Sequence, residues 1–219
     1  MINGIIFDFD GVIADSEPIH FETFRKTVLG LGIKLEKERW PEFEGTGADY
    51  IMKTLFEENK INADPKEWII KRRALFSEYI EKNAIPLKKG LIQFLQELEK
   101  RKIKMAIASG SRTDIIGKIL EKNNIANYFT AVCGADFVSK RKPDPEVFLL
   151  AAKKLSLRPS ECLIIEDSIS GISAAKKANI NCICMHTPIT AGLKECMVTI
   201  KDYTQFPFEI LEGKINDKA

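Results

Sequence analysis

Short apolar runs, each cut off by a polar residue, recur along this chain. The first, Gly4-Ile5-Ile6-Phe7, stops at Asp8. An apolar, β-branched run without alternation predicts a strand buried on both faces. Similar runs stand at 103–108, 131–133, 162–165 and 182–185. Between them the apolar spacing becomes that of a helix. Leu91, Leu95 and Leu98 recur over 91–99 with Gln and Glu between them, and Ile115, Ile116, Ile119 and Leu120 share one face over 114–120. The stretches 145–155 and 169–178 follow suit. Strands alternating with helices predict a parallel sheet with helices on both faces.

The alternation breaks once. Between 15 and 83 there is no convincing strand, only helical patterns at 18–29, 37–43, 48–59 and 65–82. Breaks fall at 30–32, 45–47 and 62–65, where Gly, Asn and Pro cluster. The chain returns through Pro86 and Lys88-Lys89-Gly90. The predicted fold is therefore α/β, a doubly wound parallel (Rossmann-like) sheet with an all-helical cap inserted after the first strand. The core takes 1–14 and 84–219, and the cap takes 15–83. The cap is expected over the carboxyl ends of the strands, where open α/β sheets bind ligands.

Composition narrows the function classes. The chain has 219 residues, 45% hydrophobic and 29% charged, enough for one sizeable core and an insert. Thirty-three basic against 31 acidic residues give a net charge of +2, with no reason to expect nucleic acid or an anionic membrane as partner. No apolar stretch approaches the roughly 20 residues of a membrane span. The start, Met1-Ile2-Asn3-Gly4, lacks the pattern of a signal peptide. The expectation is a cytoplasmic monomer. Five scattered cysteines, Cys133, Cys162, Cys182, Cys184 and Cys196, fit a reducing compartment. Cys182 and Cys184 read as part of a buried strand, not as a zinc half-site, because no His or second Cys pair stands at ligand spacing.

Four places carry candidate chemistry. Asp8-Phe9-Asp10-Gly11 ends the first strand with two carboxylates two residues apart. Carboxylates beside an apolar run need a partner, and a divalent cation is the simplest. Gly11 lets the backbone leave the strand. Glu166-Asp167-Ser168 repeats the pattern after another strand, with a helix cap as the plainer reading. Ser109-Gly110-Ser111 lies between a strand and a helix, where a hydroxyl and the first helical amides could hold an anion or where Ser111 could simply cap. Lys142-Pro143-Asp144-Pro145 places a lysine just before a helix, with Asp144 as its cap, where the lysine could neutralise a phosphoryl group. Lys140 and Arg141 read as solvated loop residues.

Each motif is weak alone. Taken in this order along nearly the whole chain, they resemble the haloacid dehalogenase-like hydrolases, in particular the β-phosphoglucomutase and sugar-phosphate phosphatase subgroup. The resemblance implies a magnesium-dependent phosphatase acting on a small phosphorylated metabolite through an aspartyl-phosphate. It implies Asp8 as nucleophile, Asp10 as general acid and base, and Ser109, Gly110 and Lys142 around the phosphate. Asp8, Asp167, Glu166 and the carbonyl of Asp10 would face Mg2+. An aspartate at position 10 argues against dehalogenation, because an ester leaving group needs a proton and a halide does not.

Rival readings remain at this point. A mutase would return the phosphoryl group to a sugar. A signalling receiver domain would carry its acidic pair on a different strand from its phosphorylated aspartate and would lack the insert. A silent relative would have lost Asp8 or Asp10. Substrate choice is expected from the cap, near His20, the stretch 44–48 with Thr46, and the basic run 71–73. His20 matches a cap histidine of mutase-like members or is a structural residue. Those members also carry an arginine in the cap loop, but Gly45-Thr46-Gly47-Ala48-Asp49 has no basic residue. Arg73 is the expected source of one charge there.

Overall fold

The computed structural model describes residues 1–43, 46–187, 190 and 193–213. Two compact units emerge, Met1–Asp15 with Ile85–Ala219, and Ser16–Ala84. Each junction falls one residue later than the sequence pattern suggests.

Among the described residues, the larger unit is built on six parallel strands: β1 (Gly4–Phe7), β2 (Lys104–Ala108), β3 (Ala131–Cys133), β4 (Cys162–Glu166), β5 (Asn181–Met185) and β6 (Val198–Ile200). Their spatial order is β3-β2-β1-β4-β5-β6. β1 therefore sits centrally, with β2 on one side and β4 on the other, and all four of its residues are buried. Unpatterned apolar runs suit such a position because both faces are covered.

Alternate residues serve opposite faces. Ile6, Ala106, Ala108, Ile164, Cys182 and Cys184 share a core with α6 (Glu146–Lys154) and α7 (Ile169–Lys177), through Phe148, Ala151, Ile172 and Ala175. On the other face Phe7 meets the ring of Phe94 from α4 (Leu91–Lys100) edge-on, with centroids 6.1 Å apart. Phe94 in turn stacks on Tyr203 at 4.8 Å. Small residues of α7, Gly171, Ala174 and Ala175, are buried against the first face, and aromatic rings pack on the other.

β6 is absent from the sequence reading. Val198-Thr199-Ile200 carries a threonine at its centre, so it does not show the unbroken apolar run that marks the other strands. The cysteines also need a correction. Cys184 and Cys196 form a disulfide with Cα atoms 5.7 Å apart, whereas Cys133, Cys162 and Cys182 are free and buried. The pairing was not legible because Cys196 lies in an irregular stretch whose approach to β5 depends on tertiary structure. No helix among the described residues is long and apolar enough to cross a membrane.

The smaller unit is helical among its described residues: α1 (Glu17–Leu29), α2 (Ala48–Glu58) and α3 (Pro65–Lys82), with a 3-10 turn at Lys37–Glu42 where a helix is predicted. Pro41 inside that stretch cannot donate a helical hydrogen bond, which keeps it short. Asp64 caps α3 by accepting from the Lys66 amide at 2.9 Å. Phe24, Val28, Trp40, Phe43, Met52, Leu55, Phe56 and Ile69 form its own core.

Candidate active site

Asp8 follows β1 directly. Its amide donates to the Ile165 carbonyl at 2.9 Å, prolonging the β1–β4 ladder in which Phe7 faces Ile165. That register sets Asp8 level with Glu166, the last residue of β4. The strand order reverses at this pair of strands, which is where doubly wound sheets open a crevice.

Lys142 reaches the same point from the loop before α6. Its Nζ donates to Asp8 Oδ1 at 2.7 Å and to Glu166 Oε1 at 3.0 Å. It also lies 4.6 Å from the Phe148 ring centre, which gives its cationic end a polarisable wall. The loop that delivers Lys142 is held firmly. Glu146 accepts from the amides of Ser139 and Lys140 at 3.0 and 2.8 Å, and Asp144 accepts from the Glu146 amide at 3.1 Å. Lys140 and Arg141 are exposed.

Glu166 has no exposed surface. Its carboxylate accepts from Lys142, from the Ser168 hydroxyl at 3.0 Å, and from the amides of Asp167 and Ser168 at 2.7 and 3.3 Å. Ser168 caps α7 as well, accepting from the Gly171 amide at 3.1 Å. A β-carbon at position 171 would overlap the Glu166 carboxylate, so glycine is needed for the close approach. Capping thus falls to Ser168 and not to Glu166 or Asp167, a division of labour that adjacent polar residues do not reveal in sequence.

Burial pushes the Asp8 carboxyl up to about 7, with Lys142 opposing and Glu166 and Asp10 adding to the rise. For Lys142 burial works against the charge, but the carboxylates of Asp8 and Glu166 outweigh it and hold the ammonium above its ordinary range. Asp8, Glu166 and Asp167 each offer an oxygen within 4.8 Å of the others. Oxygen-only donors in an excess of negative charge fit a hard cation such as Mg2+.

Ser109 is buried at the end of β2, and Gly110 beside it is exposed. The expected first helical amides are only partly available there. Asp136 accepts from the amide and hydroxyl of Thr113, the first residue of α5 (Thr113–Lys122), at 2.8 and 2.9 Å. Ser111 is not the cap. It donates its hydroxyl to Asp10 Oδ2 at 2.5 Å.

Among the cap residues, Arg73 is exposed on α3. Arg72 is the buried cation: it contacts the ring of His20 through Nδ1 and donates to Thr23 Oγ1 at 3.2 Å. The His20 ring stacks on Phe76 at 4.6 Å. The apolar stripe of α3, Ile69, Phe76 and Ile80, admits either 72 or 73 at helical spacing, so periodicity could not choose between them. Thr46 is exposed and donates to the Phe43 carbonyl at 2.7 Å. Glu44 and Gly45 of the expected cap loop lie outside the described residues.

Gly11 ties the first motif to the last. Its φ is +73°, and a β-carbon there would overlap the Asp167 carboxylate. Gly11→Ala is expected to lower stability by about 1–3 kcal/mol through backbone strain. Displacing Asp167 should also lower phosphate-ester turnover about a hundredfold. Chemical denaturation and steady-state kinetics measure the two effects; wild-type kinetics in a folded variant would refute the dependence on Asp167.

Residues 5–185 match the family model described as haloacid dehalogenase-like hydrolase. A β-phosphoglucomutase of Bacillus subtilis is 30% identical over 188 residues, covering 82% of this chain and 81% of its own length. A fructose-1-phosphate phosphatase of Escherichia coli is 29% identical, covering 82% of this chain and 94% of its own length. The crystal structure of a β-phosphoglucomutase from Clostridium difficile superposes with a TM-score of 0.80 at 24% identity, covering 97% of this chain and 96% of that one, and so shares the fold. With a family match over most of its length and the acidic cluster at the ends of β1 and β4, this chain belongs to the haloacid dehalogenase-like hydrolases.

Proposed function

We propose that the chain is a phosphoric monoester hydrolase that takes a phosphorylated sugar and forms an aspartyl-phosphate on Asp8. The observation that carries this reading is the placement of Asp8 against Lys142 Nζ at 2.7 Å, beside Glu166 and Asp167, at the ends of the two central strands. The activities named for the two sequence relatives, a fructose-1-phosphate phosphatase and a β-phosphoglucomutase, point to the substrate class.

Asp8, Glu166 and Asp167, with the Asp10 carbonyl, would hold the magnesium ion, which supplies positive charge to phosphate oxygens. Lys142 brings a second positive charge to the same oxygens and keeps Asp8 oriented. The Asp8 carboxylate attacks phosphorus in line, and the ester oxygen leaves with the bonding electron pair. Asp10 gives that oxygen a proton, then takes one from the water that hydrolyses the acyl-phosphate. The hydroxyl of Ser109 donates a hydrogen bond to the transferring group.

The second reading, a mutase, is favoured by the B. subtilis relative. Against it, a mutase must hold a second phosphate in the cap. The cap loop offers no arginine, and Arg73 is exposed while Arg72 is packed with His20, Phe24 and Phe76. A missing charge-assisted contact costs a second phosphate about 1.5–3 kcal/mol. The test supplies magnesium and either fructose 1-phosphate or β-glucose 1-phosphate with catalytic glucose 1,6-bisphosphate, following free phosphate and glucose 6-phosphate separately. Phosphate release is expected from at least one sugar phosphate. Rapid glucose 6-phosphate formation with little free phosphate would make the chain a mutase.

A further inference from the structure

Ser111 is held more tightly than a loop serine needs to be. Its amide donates to Ser109 Oγ at 3.0 Å, and its carbonyl accepts from the Ala135 amide at 2.9 Å. The loop after β3 presses directly on it. A β-carbon at Gly134 would stand 2.7 Å from the Ser111 carbonyl oxygen and 2.6 Å from the Thr113 amide, so only glycine lets the two loops meet. From the same loop, Asp136 takes over the capping of α5 through Thr113. The Ser111 hydroxyl is thereby released from the capping role its position suggests, and it is aimed at Asp10 Oδ2, 2.5 Å away. That distance is at the short end of the range for hydroxyl hydrogen bonds to oxygen.

Asp10 stands where the chain has left β1 and turned, with the Ile13 and Ala14 amides both donating to the Phe9 carbonyl at 2.9 and 3.0 Å. The turn fixes its backbone and leaves its side-chain torsions to be set by neighbours. We propose that Ser111 is a positioning residue for Asp10, holding the carboxyl in the rotamer from which it serves the leaving oxygen. This rests on the phosphatase reading of Asp8 and Asp10. In the first step the bond from phosphorus to the ester oxygen breaks, and the oxygen keeps the electron pair and takes the proton of Asp10, which becomes a carboxylate. Ser111 keeps its own proton throughout. The two serines then divide the loop's work: Ser109 faces the phosphoryl group while Ser111 faces the acid.

The experiment compares kcat/KM for alkyl and aryl phosphates, because kcat/KM reports formation of the aspartyl-phosphate. An alkoxide leaves poorly without a proton, whereas p-nitrophenolate leaves well without one. Ser111→Ala is expected to widen the aryl-to-alkyl ratio of kcat/KM at least about tenfold. Ser111→Thr keeps the hydroxyl and should restore the wild-type ratio. Loss of local structure alone would lower both substrate types in parallel, and that result overturns the proposal, as does an unchanged alkyl rate or a threonine variant that behaves like alanine. Asp10→Ala is the reference. If it widens the ratio and Ser111→Ala does not, the role of Ser111 fails alone. If Asp10→Ala leaves the ratio unchanged, the phosphatase reading of Asp10 fails and the proposal falls with it.

Discussion

Asp8→Asn is expected to reduce turnover of a phosphate ester by at least about a thousandfold, because an amide cannot form the acyl-phosphate. The substitution is nearly isosteric, and the geometry says the fold should survive it. The amide oxygen can still accept from Lys142, and Glu166 remains 3.0 Å from the ammonium. The backbone bond from residue 8 to the Ile165 carbonyl does not depend on the side chain. Melting by circular dichroism should therefore shift by only a few degrees, since about 1 kcal/mol corresponds to roughly 2–4 °C at this size. Acid-quenched wild type should retain phosphate on the chain during turnover, and the variant should not. A folded Asp8→Asn protein within tenfold of wild-type activity would sink the covalent mechanism.

Much of this site was legible because its residues sit at breaks in hydrophobic pattern. Asp8 and Glu166 each end an apolar run, and the register of β1 with β4 makes them level. Lys142 was marked by the prolines around it. What stayed hidden depends on side chains from distant segments. Asp136 caps α5 from 23 residues away and frees Ser111 for Asp10, and no local rule assigns that exchange. That Arg72 and not Arg73 is the buried one is likewise tertiary, with Arg72 contacting His20 and Thr23 on α1. Sequence periodicity fixes a stripe to within one position, and a run of three basic residues offers a candidate at each.

Removing divalent cations should abolish activity, and magnesium should restore it. Asp8, Glu166 and Asp167 offer oxygens within 4.8 Å of one another, with the Lys142 ammonium on Asp8 and Glu166, and a phosphate dianion meets a repulsive field there unless a cation intervenes. Glu166 is committed to four hydrogen bonds, so it acts on any cation from a fixed position. Asp167, half-buried and pressed against Gly11, is the candidate ligand whose loss should weaken binding without unfolding the chain. Two readouts separate binding from turnover. Magnesium at a hundred times its dissociation constant should stabilise the fold by about 2.7 kcal/mol, visible as a higher melting temperature. Asp167→Ala should shrink that shift and raise the magnesium concentration needed for half-maximal activity. Calcium should raise the melting temperature too, yet support little turnover, because its larger and looser shell misplaces Asp8. Full activity in excess chelator, or a melting curve indifferent to magnesium, would refute a cation at this cluster.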